Sequence, residues 1–179
     1  MICFVCDNHY NSHPGKLLFE ELKGGYDFLF HEDDWSVFEE DGFADACSLL
    51  VLNMIGDTCG VEHPSAKAEA QVRAYVEKGG DMLLLHGSSA AFWHWDWWRP
   101  IVGHRWVRGN DPDGIEASTH PKRPFDVRVA KCRHPLCAEL RDMEFGEDEI
   151  YINLEQTCPT TVLMETHTDE GTFLQCYEC

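Results

Sequence analysis

Along the first half of the chain, short apolar runs alternate with stretches of helical spacing. Ile2 to Cys6 is an apolar run that gives way to the turn-rich segment Asp7-Asn8-His9-Tyr10-Asn11-Ser12. From about Pro14 to Leu22, the positions of Leu17, Leu18, Glu21 and Leu22 suit one amphipathic helix, which Gly24-Gly25 stops. Tyr26 to His31 reads as a second strand, and Ser48 to Met54 as a third that ends at Gly56. Pro64 opens the next helix, Ala68, Val72, Tyr75 and Val76 share a face, and Gly79-Gly80 ends it. Asp81 to His86 is a fourth strand, continuously apolar over Met82-Leu83-Leu84-Leu85. A run of this kind is expected to be buried on both faces, as in parallel sheets covered by helices.

This alternation predicts an open, doubly wound α/β domain. The second half has another rhythm. Phe125 to Val129 alternates as a half-buried strand does, Ile150 to Leu154 and Thr161 to Glu165 look similar, and Thr172 to Cys176 reads as a last strand. A long surface loop is expected from about 109 to 124, around Gly109-Asn110-Asp111-Pro112-Asp113-Gly114. No internal repeat or clean boundary interrupts the chain, so its 179 residues are expected to form one domain.

Composition narrows the classes of function. Apolar residues at 44% and aromatics at 12% supply a core and exclude global disorder. With 14 basic and 32 acidic side chains the net charge is −18, which argues against nucleic acid and anionic membrane surfaces as partners. No apolar run approaches the roughly 20 residues that cross a bilayer. The first residues reach Asp7 at once and lack a basic leader region, so no signal peptide is read. Nine irregularly spaced cysteines are an odd number and do not look like a secreted disulfide framework, which points to the cytoplasm. Cys3-x-x-Cys6 and Cys176-x-x-Cys179 have zinc-like spacing. Strand residues three apart face opposite ways, however, so these thiols are expected to serve as small buried apolar groups.

The strongest chemical signal is Leu83-Leu84-Leu85-His86-Gly87-Ser88-Ser89-Ala90-Ala91-Phe92, a strand running into a turn of small residues and then a helix. Such a turn presents a side chain at the carboxyl edge of a sheet, with the N–H groups of Gly87 and Ser88 free to hold an oxygen. His86 at its tip suits acid/base work, carbonyl polarisation or metal binding; it also suits a plain strand end bonded to backbone. Asn8, His9 and His13 follow the first strand and should lie at the same edge. A polar loop capping the first helix accounts for them as well. A divalent metal such as zinc stays open if His9, His13 and His86 converge, although no metal ligand set or cofactor is specified by spacing alone. Phe92-Trp93-His94-Trp95-Asp96-Trp97-Trp98 holds too many aromatics for one helical face. Trp93 and Trp95 are candidate stacking surfaces for a sugar, with core packing or a homo-oligomer contact as the alternative. Glu147-Asp148-Glu149-Ile150-Tyr151 could supply a general base, best Glu149, with Tyr151 beside it; a solvated turn would look the same.

These motifs together resemble the ThuA-like (trehalose utilisation) family of the class I glutamine amidotransferase-like superfamily. The matching stretches are the first strand with its Asn/His loop, Gly79 to Ser88, Trp98-Arg99-Pro100-Ile101-Val102-Gly103, Arg133-His134-Pro135-Leu136 and Glu147 to Tyr151, in family order over about residues 2 to 176. The resemblance implies a three-layer, flavodoxin-like α/β fold with a mostly parallel sheet. Amidotransferases carry a nucleophilic Cys at the elbow; His86 stands there in this chain, so thiolate-driven glutamine hydrolysis is not expected. Family members are associated with sugar and keto-sugar metabolism. They usually continue into a further strand and a Gly-His motif, so the expectation is one ThuA-like domain lacking its C-terminal strand and helix. The functional expectation is acid/base chemistry on a sugar or oxidised sugar. The catalytic candidates are His86, Glu149 and His9, and the substrate-binding candidates Asn8, Gly87, Ser88, Trp93, Trp95 and Tyr151. A non-catalytic carbohydrate-binding or assembly domain and a metal-dependent hydrolase are the alternatives.

Overall fold

A computed structural model describes the chain except for residues 57–59, 61 and 110. It divides into two compact units, Met1–His94 and Trp95–Cys179. In the first, β1 (Ile2–Cys6), α1 (Pro14–Leu22), β2 (Phe28–Glu32), α2 (Phe43–Ala46), β3 (Leu49–Asn53), α3 (Ala66–Glu77) and β4 (Asp81–Leu84) follow one another. The four strands form one parallel sheet in the order β2-β1-β3-β4. This is the α/β alternation that the apolar pattern predicts.

Both faces of the inner strands are buried. Phe4, Cys6 and Val51 form a cluster against which Phe19 of α1, Phe28 and Phe30 pack, with Phe19 stacked on Phe30 at 4.2 Å. Cys3, Val5, Leu50 and Leu52 point the other way and are equally inaccessible, as are Val37, Phe38, Val72 and Tyr75. Helix α1 lies close to β1 because Gly15 has no side chain: a Cβ there would sit 2.5 Å from Cys6 Cβ. Helix α3 starts at Ala66 rather than at Pro64, since the Ser65 hydroxyl accepts the Ala68 N–H and caps it. The fourth strand corrects the expectation of burial on both faces. β4 is a sheet edge, it stops at Leu84, and Leu83 is 47% exposed.

The second unit is antiparallel. It contains β5 (His104–Arg105), β6 (Lys122–Val129), β7 (Met143–Glu149), β8 (Glu155–Gln156), β9 (Thr161–Thr168) and β10 (Gly171–Glu178). Four of them form a sheet in the order β10-β9-β6-β7, and β5 pairs with β8. The strand expected at Ile150 to Leu154 is absent; Ile152 makes only a single bridge to Thr119. The loop expected over 109 to 124 already enters β6 at Lys122, and its residue 110 lies outside the described residues. Arg105 is buried with its charge matched by Glu155 at 2.6 Å and Asp111 at 2.9 Å, and Arg99 reaches the same Glu155 at 2.7 Å. Cys132 and Cys137 are disulfide-bonded, which the cysteine pattern did not suggest. Cys3 and Cys6 are buried free thiols, as expected of small apolar groups, and so is Cys47; against that expectation Cys176 is half-buried and Cys179 is exposed at the chain's surface. Among the described residues no helix is long and apolar enough to cross a membrane.

Gly15 offers a direct test of the α1–β1 contact. An alanine would gain up to about 1 kcal/mol of helix propensity but would overpack Cys6, at a cost of about 1–3 kcal/mol. Gly15→Ala is therefore expected to be net destabilising, by about 1 kcal/mol in urea denaturation and at most about 3; a stabilised variant would show that the helix can move off the sheet.

Candidate functional site

Parallel strands deliver their carboxyl ends to one edge, and three loops meet there. β1 runs into Asp7–His13, β3 into Met54–Gly56, and β4 through Leu85 into a 3-10 turn at His86–Ala90. The register pairs Cys6 with Asn53 and Leu52 with Leu84, so the three exits are level.

Asp7 joins two of these loops. Its side chain is fully buried; Oδ2 accepts the N–H groups of Ile55 at 2.6 Å and Gly56 at 2.8 Å, and Oδ1 accepts that of His9 at 3.1 Å. Ser88 joins the other pair. Its hydroxyl donates to Leu52 O at 2.8 Å and accepts the Met54 N–H at 3.1 Å. Ser88 is thus a buried staple, and its N–H donates to Leu85 O at 3.1 Å instead of facing a ligand oxygen. The expected α-helix after His86 is a 3-10 turn, which is why that N–H is taken internally.

Between these staples His9 and His86 come together. Their Nε2 atoms lie 3.2 Å apart, with ring centroids at 4.8 Å. Both residues have left-handed backbones, φ 45 and φ 48, a conformation that costs a non-glycine residue energy and that clusters at functional sites. His86 is exposed, whereas His9 is mostly covered. His9 Nδ1 is buried without a hydrogen bond, 3.9 Å from Asp7 Oδ1. Gly87 makes the approach feasible: a Cβ there would lie 2.7 Å from Ile55 Cγ1 and 3.3 Å from His9 Cε1. At this separation the pair can hold one hydrogen between two nitrogens, or direct two lone pairs at a shared ligand.

The other candidates are placed differently. Asn8 braces the loops: its N–H and Nδ2 donate to Asp33, just after β2, at 2.8 and 3.0 Å, and its Oδ1 accepts the Asn11 N–H of its own loop at 3.1 Å. His13 turns to Glu32, 2.9 Å away, rather than to His9, so the three histidines do not converge. Among the described residues no group of three or more His, Cys, Asp or Glu converges as metal ligands do. Trp93 is half-buried and lines a shallow cleft of about 10 Å³, room for little more than a water, with Met54, His63, Pro64, Phe92 and His94. Trp95 is 3% exposed and stacked on Trp97 at 5.4 Å, so it packs a core instead of offering a free face. Glu149, in the second unit, lies 3.3 Å from both His120 Nδ1 and Lys122 Nζ. Tyr151 packs on Trp106, and burial, with Glu149 and Asp148 nearby, raises its phenol so that it stays protonated. His134 accepts the Leu136 N–H and caps a short turn.

Sequence reasoning missed Asp7 as the organiser and His63 and His94 as cleft residues. An acid directly after a buried apolar strand was the available sign for Asp7. Removing its carboxylate should free three backbone N–H groups inside the protein. Asp7→Ala is expected to lose about 5 kcal/mol or more in chemical denaturation, since each of the three bonds to a charged acceptor contributes about 1.5–3 kcal/mol. A loss under 1 kcal/mol would mean that other groups hold the loops.

The chain matches the ThuA family, described as trehalose utilisation, over residues 7–175. No curated protein matches it. Among solved structures, a ThuA-like protein from Parabacteroides merdae superposes with a TM-score of 0.70 at 17% identity, covering 94% of this chain and 69% of that one. A ThuA-like protein from Bacteroides uniformis superposes with a TM-score of 0.64 at 14% identity, covering 98% of this chain and 76% of that one. At these identities the superpositions speak for the fold. The match over nearly the whole chain speaks for descent, and the chain belongs to the ThuA trehalose-utilisation family.

Proposed function

We propose that the chain acts on a neutral sugar or oxidised sugar, of the trehalose or keto-sugar type, by proton transfer at His86. The observation that carries this reading is the 3.2 Å approach of His86 Nε2 to His9 Nε2 at the carboxyl edge of the parallel sheet. A ketone acidifies its neighbouring C–H, and an imidazole lone pair can take that proton. An adjacent N–H can meanwhile hold the oxygen as negative charge develops on it. His9 and His86 are spaced to divide these two tasks. Thiolate chemistry is disfavoured at Cys6, the thiol at the carboxyl end of β1, which burial pushes up to about 12. Gly87 makes room for the pair, and Glu149 carries no step in this scheme. We read the first unit as the core of a three-layer, flavodoxin-like arrangement, and we place the protein in the cytoplasm on its odd, irregularly spaced cysteines, with the Cys132–Cys137 disulfide weighing the other way.

One observation favours a second reading. Two cis ligands on a cation at about 2.1 Å are themselves about 3 Å apart, and the paired Nε2 atoms meet that condition. Substrate or water oxygens would then complete the coordination in a metal-dependent hydrolase.

The deciding experiment uses chain purified without a polyhistidine tag. Deuterium exchange next to the carbonyl of a 3-keto-glucoside is followed by NMR. His86→Gln is expected to slow exchange by roughly a hundredfold or more, with the fold intact by circular dichroism. Unchanged exchange would overturn proton transfer at His86. One equivalent of metal in the native chain, lost in His86→Gln, would favour the hydrolase instead. Sugar binding without exchange would favour a binding domain.

A further inference from the structure

Two thiols of the second unit come together at the junction of its two sheets. Cys158 lies two residues past β8, and Cys179 directly follows β10. The β9–β10 ladder pairs Glu178 with Thr161, so its next step sets Cys179 opposite Thr160, two residues from Cys158. Gly103 draws the loop and the strand end together. A Cβ on it would lie 3.1 Å from Thr160 Cγ2 and 3.3 Å from Cys179 Sγ, and its carbonyl accepts the Thr157 N–H at 2.8 Å. Cys158 is thus flanked by two residues that lie against Gly103, the residue on which the Cys179 sulfur also rests. The junction is braced by polar contacts. The Tyr177 hydroxyl donates to Val102 O at 2.7 Å and accepts the His104 N–H at 3.3 Å, and His104 Nε2 meets Thr160 Oγ1 at 2.9 Å.

Access and reactivity set this pair apart from the other described thiols. Cys3, Cys6 and Cys47 are buried, and Cys132 and Cys137 are already joined to each other. Cys158 is partly exposed and Cys179 exposed, so a small solute reaches both. Burial, and then the neighbouring Cys158, push the Cys179 thiol up to about 11, so Cys179 stays protonated at neutral pH and does not begin a reaction. Both sulfurs also act on the Tyr177 phenol, which places them around one ring. This is the arrangement of an attacking thiol with a second thiol held beside it.

We propose that Cys158 and Cys179 form a reversible oxidation site, with a hydroperoxide as the oxidant and a disulfide between them as the product. The Cys158 sulfur attacks the peroxide. An S–O bond forms, the O–O bond breaks, and the other oxygen leaves with a proton as water. The Cys179 sulfur then attacks the sulfenic acid on Cys158. The S–S bond forms, the S–O bond breaks, and the departing hydroxide takes the Cys179 proton as a second water. The two thiols together lose two electrons and the peroxide gains them. Two equivalents of a small thiol reverse the change by exchange and become a disulfide themselves. The bond ties the segment after β8 to the end of the β9–β10 hairpin, and so adds a covalent link to the contacts around Gly103. The site stands apart from the sugar chemistry above and does not depend on it.

The test titrates the whole folded chain with hydrogen peroxide, up to one equivalent. Remaining thiols are then blocked with N-ethylmaleimide in denaturant, and the digest is read by mass spectrometry. The expected product is a peptide pair joined through Cys158 and Cys179, two hydrogens lighter than its thiol form and released by dithiothreitol. Cys3, Cys6 and Cys47 are expected to stay free. Cys179→Ser removes the second thiol and should raise the dimedone-trapped sulfenic acid at Cys158 roughly tenfold. Cys158→Ser should leave Cys179 unoxidised over the same titration, and Cys176→Ser should form the native bond. A native chain in which Cys158 and Cys179 remain free at one equivalent overturns the site. So does a bond from either of them to any other cysteine, or to a second chain on a non-reducing gel. The native chain alone decides between these outcomes, whether or not a serine variant folds.

Discussion

The buried carboxylate of Asp7 is the constraint on which the candidate site depends. Taking an ionised carboxylate out of water costs several kcal/mol, and the cost is met only if its lone pairs are filled. Here three backbone N–H groups fill them, one from its own loop and two from the loop after β3. The same bonds that satisfy the charge therefore fix the distance between two strand exits. Ser88 repeats the device between the exits of β3 and β4 with a neutral group. Together the two staples leave His9 and His86 little freedom except to face each other.

The backbone bears out how firmly those loops are held. His9, Tyr10, Asn11 and His13 all have positive φ, from 45 to 67, and His86 adds a fifth. Each such residue costs on the order of 1 kcal/mol relative to its relaxed conformation, and glycine would relieve the cost. The chain places glycine at 87, where a side chain would strike Ile55, but keeps imidazoles at 9 and 86, where only the backbone is strained. The strain thus includes the two positions whose side chains form the pair, along with Tyr10, Asn11 and His13 of the same loop. This inference runs from observed outliers to function, the direction in which strain is informative.

The pattern of apolar residues made the parallel half legible because its inner strands are buried on both faces, and burial of that kind leaves uninterrupted apolar runs. The same rule misread β4, whose apolar run sits at a sheet edge. Strand β7 was invisible for the opposite reason. Met143-Glu144-Phe145-Gly146-Glu147-Asp148-Glu149 is exposed along nearly all its length and rich in acids and glycine, so neither alternation nor propensity marks it. It is held as a strand by pairing with β6 and by Phe145 stacked on Phe125 at 5.2 Å, a contact no local pattern contains. For the site, His86 and His9 were readable because each follows a recognisable strand. Their partnership was not, since it depends on Asp7 and Ser88 acting across 48 and 34 positions of sequence. Asn8 and Ser88 were read as ligand-binding groups because polar residues beside a strand end look alike whether they face a ligand or brace a loop.

The electrostatics of the whole chain bear on the choice of substrate. An excess of 18 negative charges raises the energy of an approaching phosphate or carboxylate, while a neutral sugar is indifferent to it. Screening confines this field to about 8 Å at physiological salt, but the acids of the first loop and its surroundings, Asp7, Glu32, Asp33 and Asp34, lie in the same unit as the histidine pair. Under the proposed reading, this charge therefore favours an uncharged substrate over a phosphate or a carboxylate.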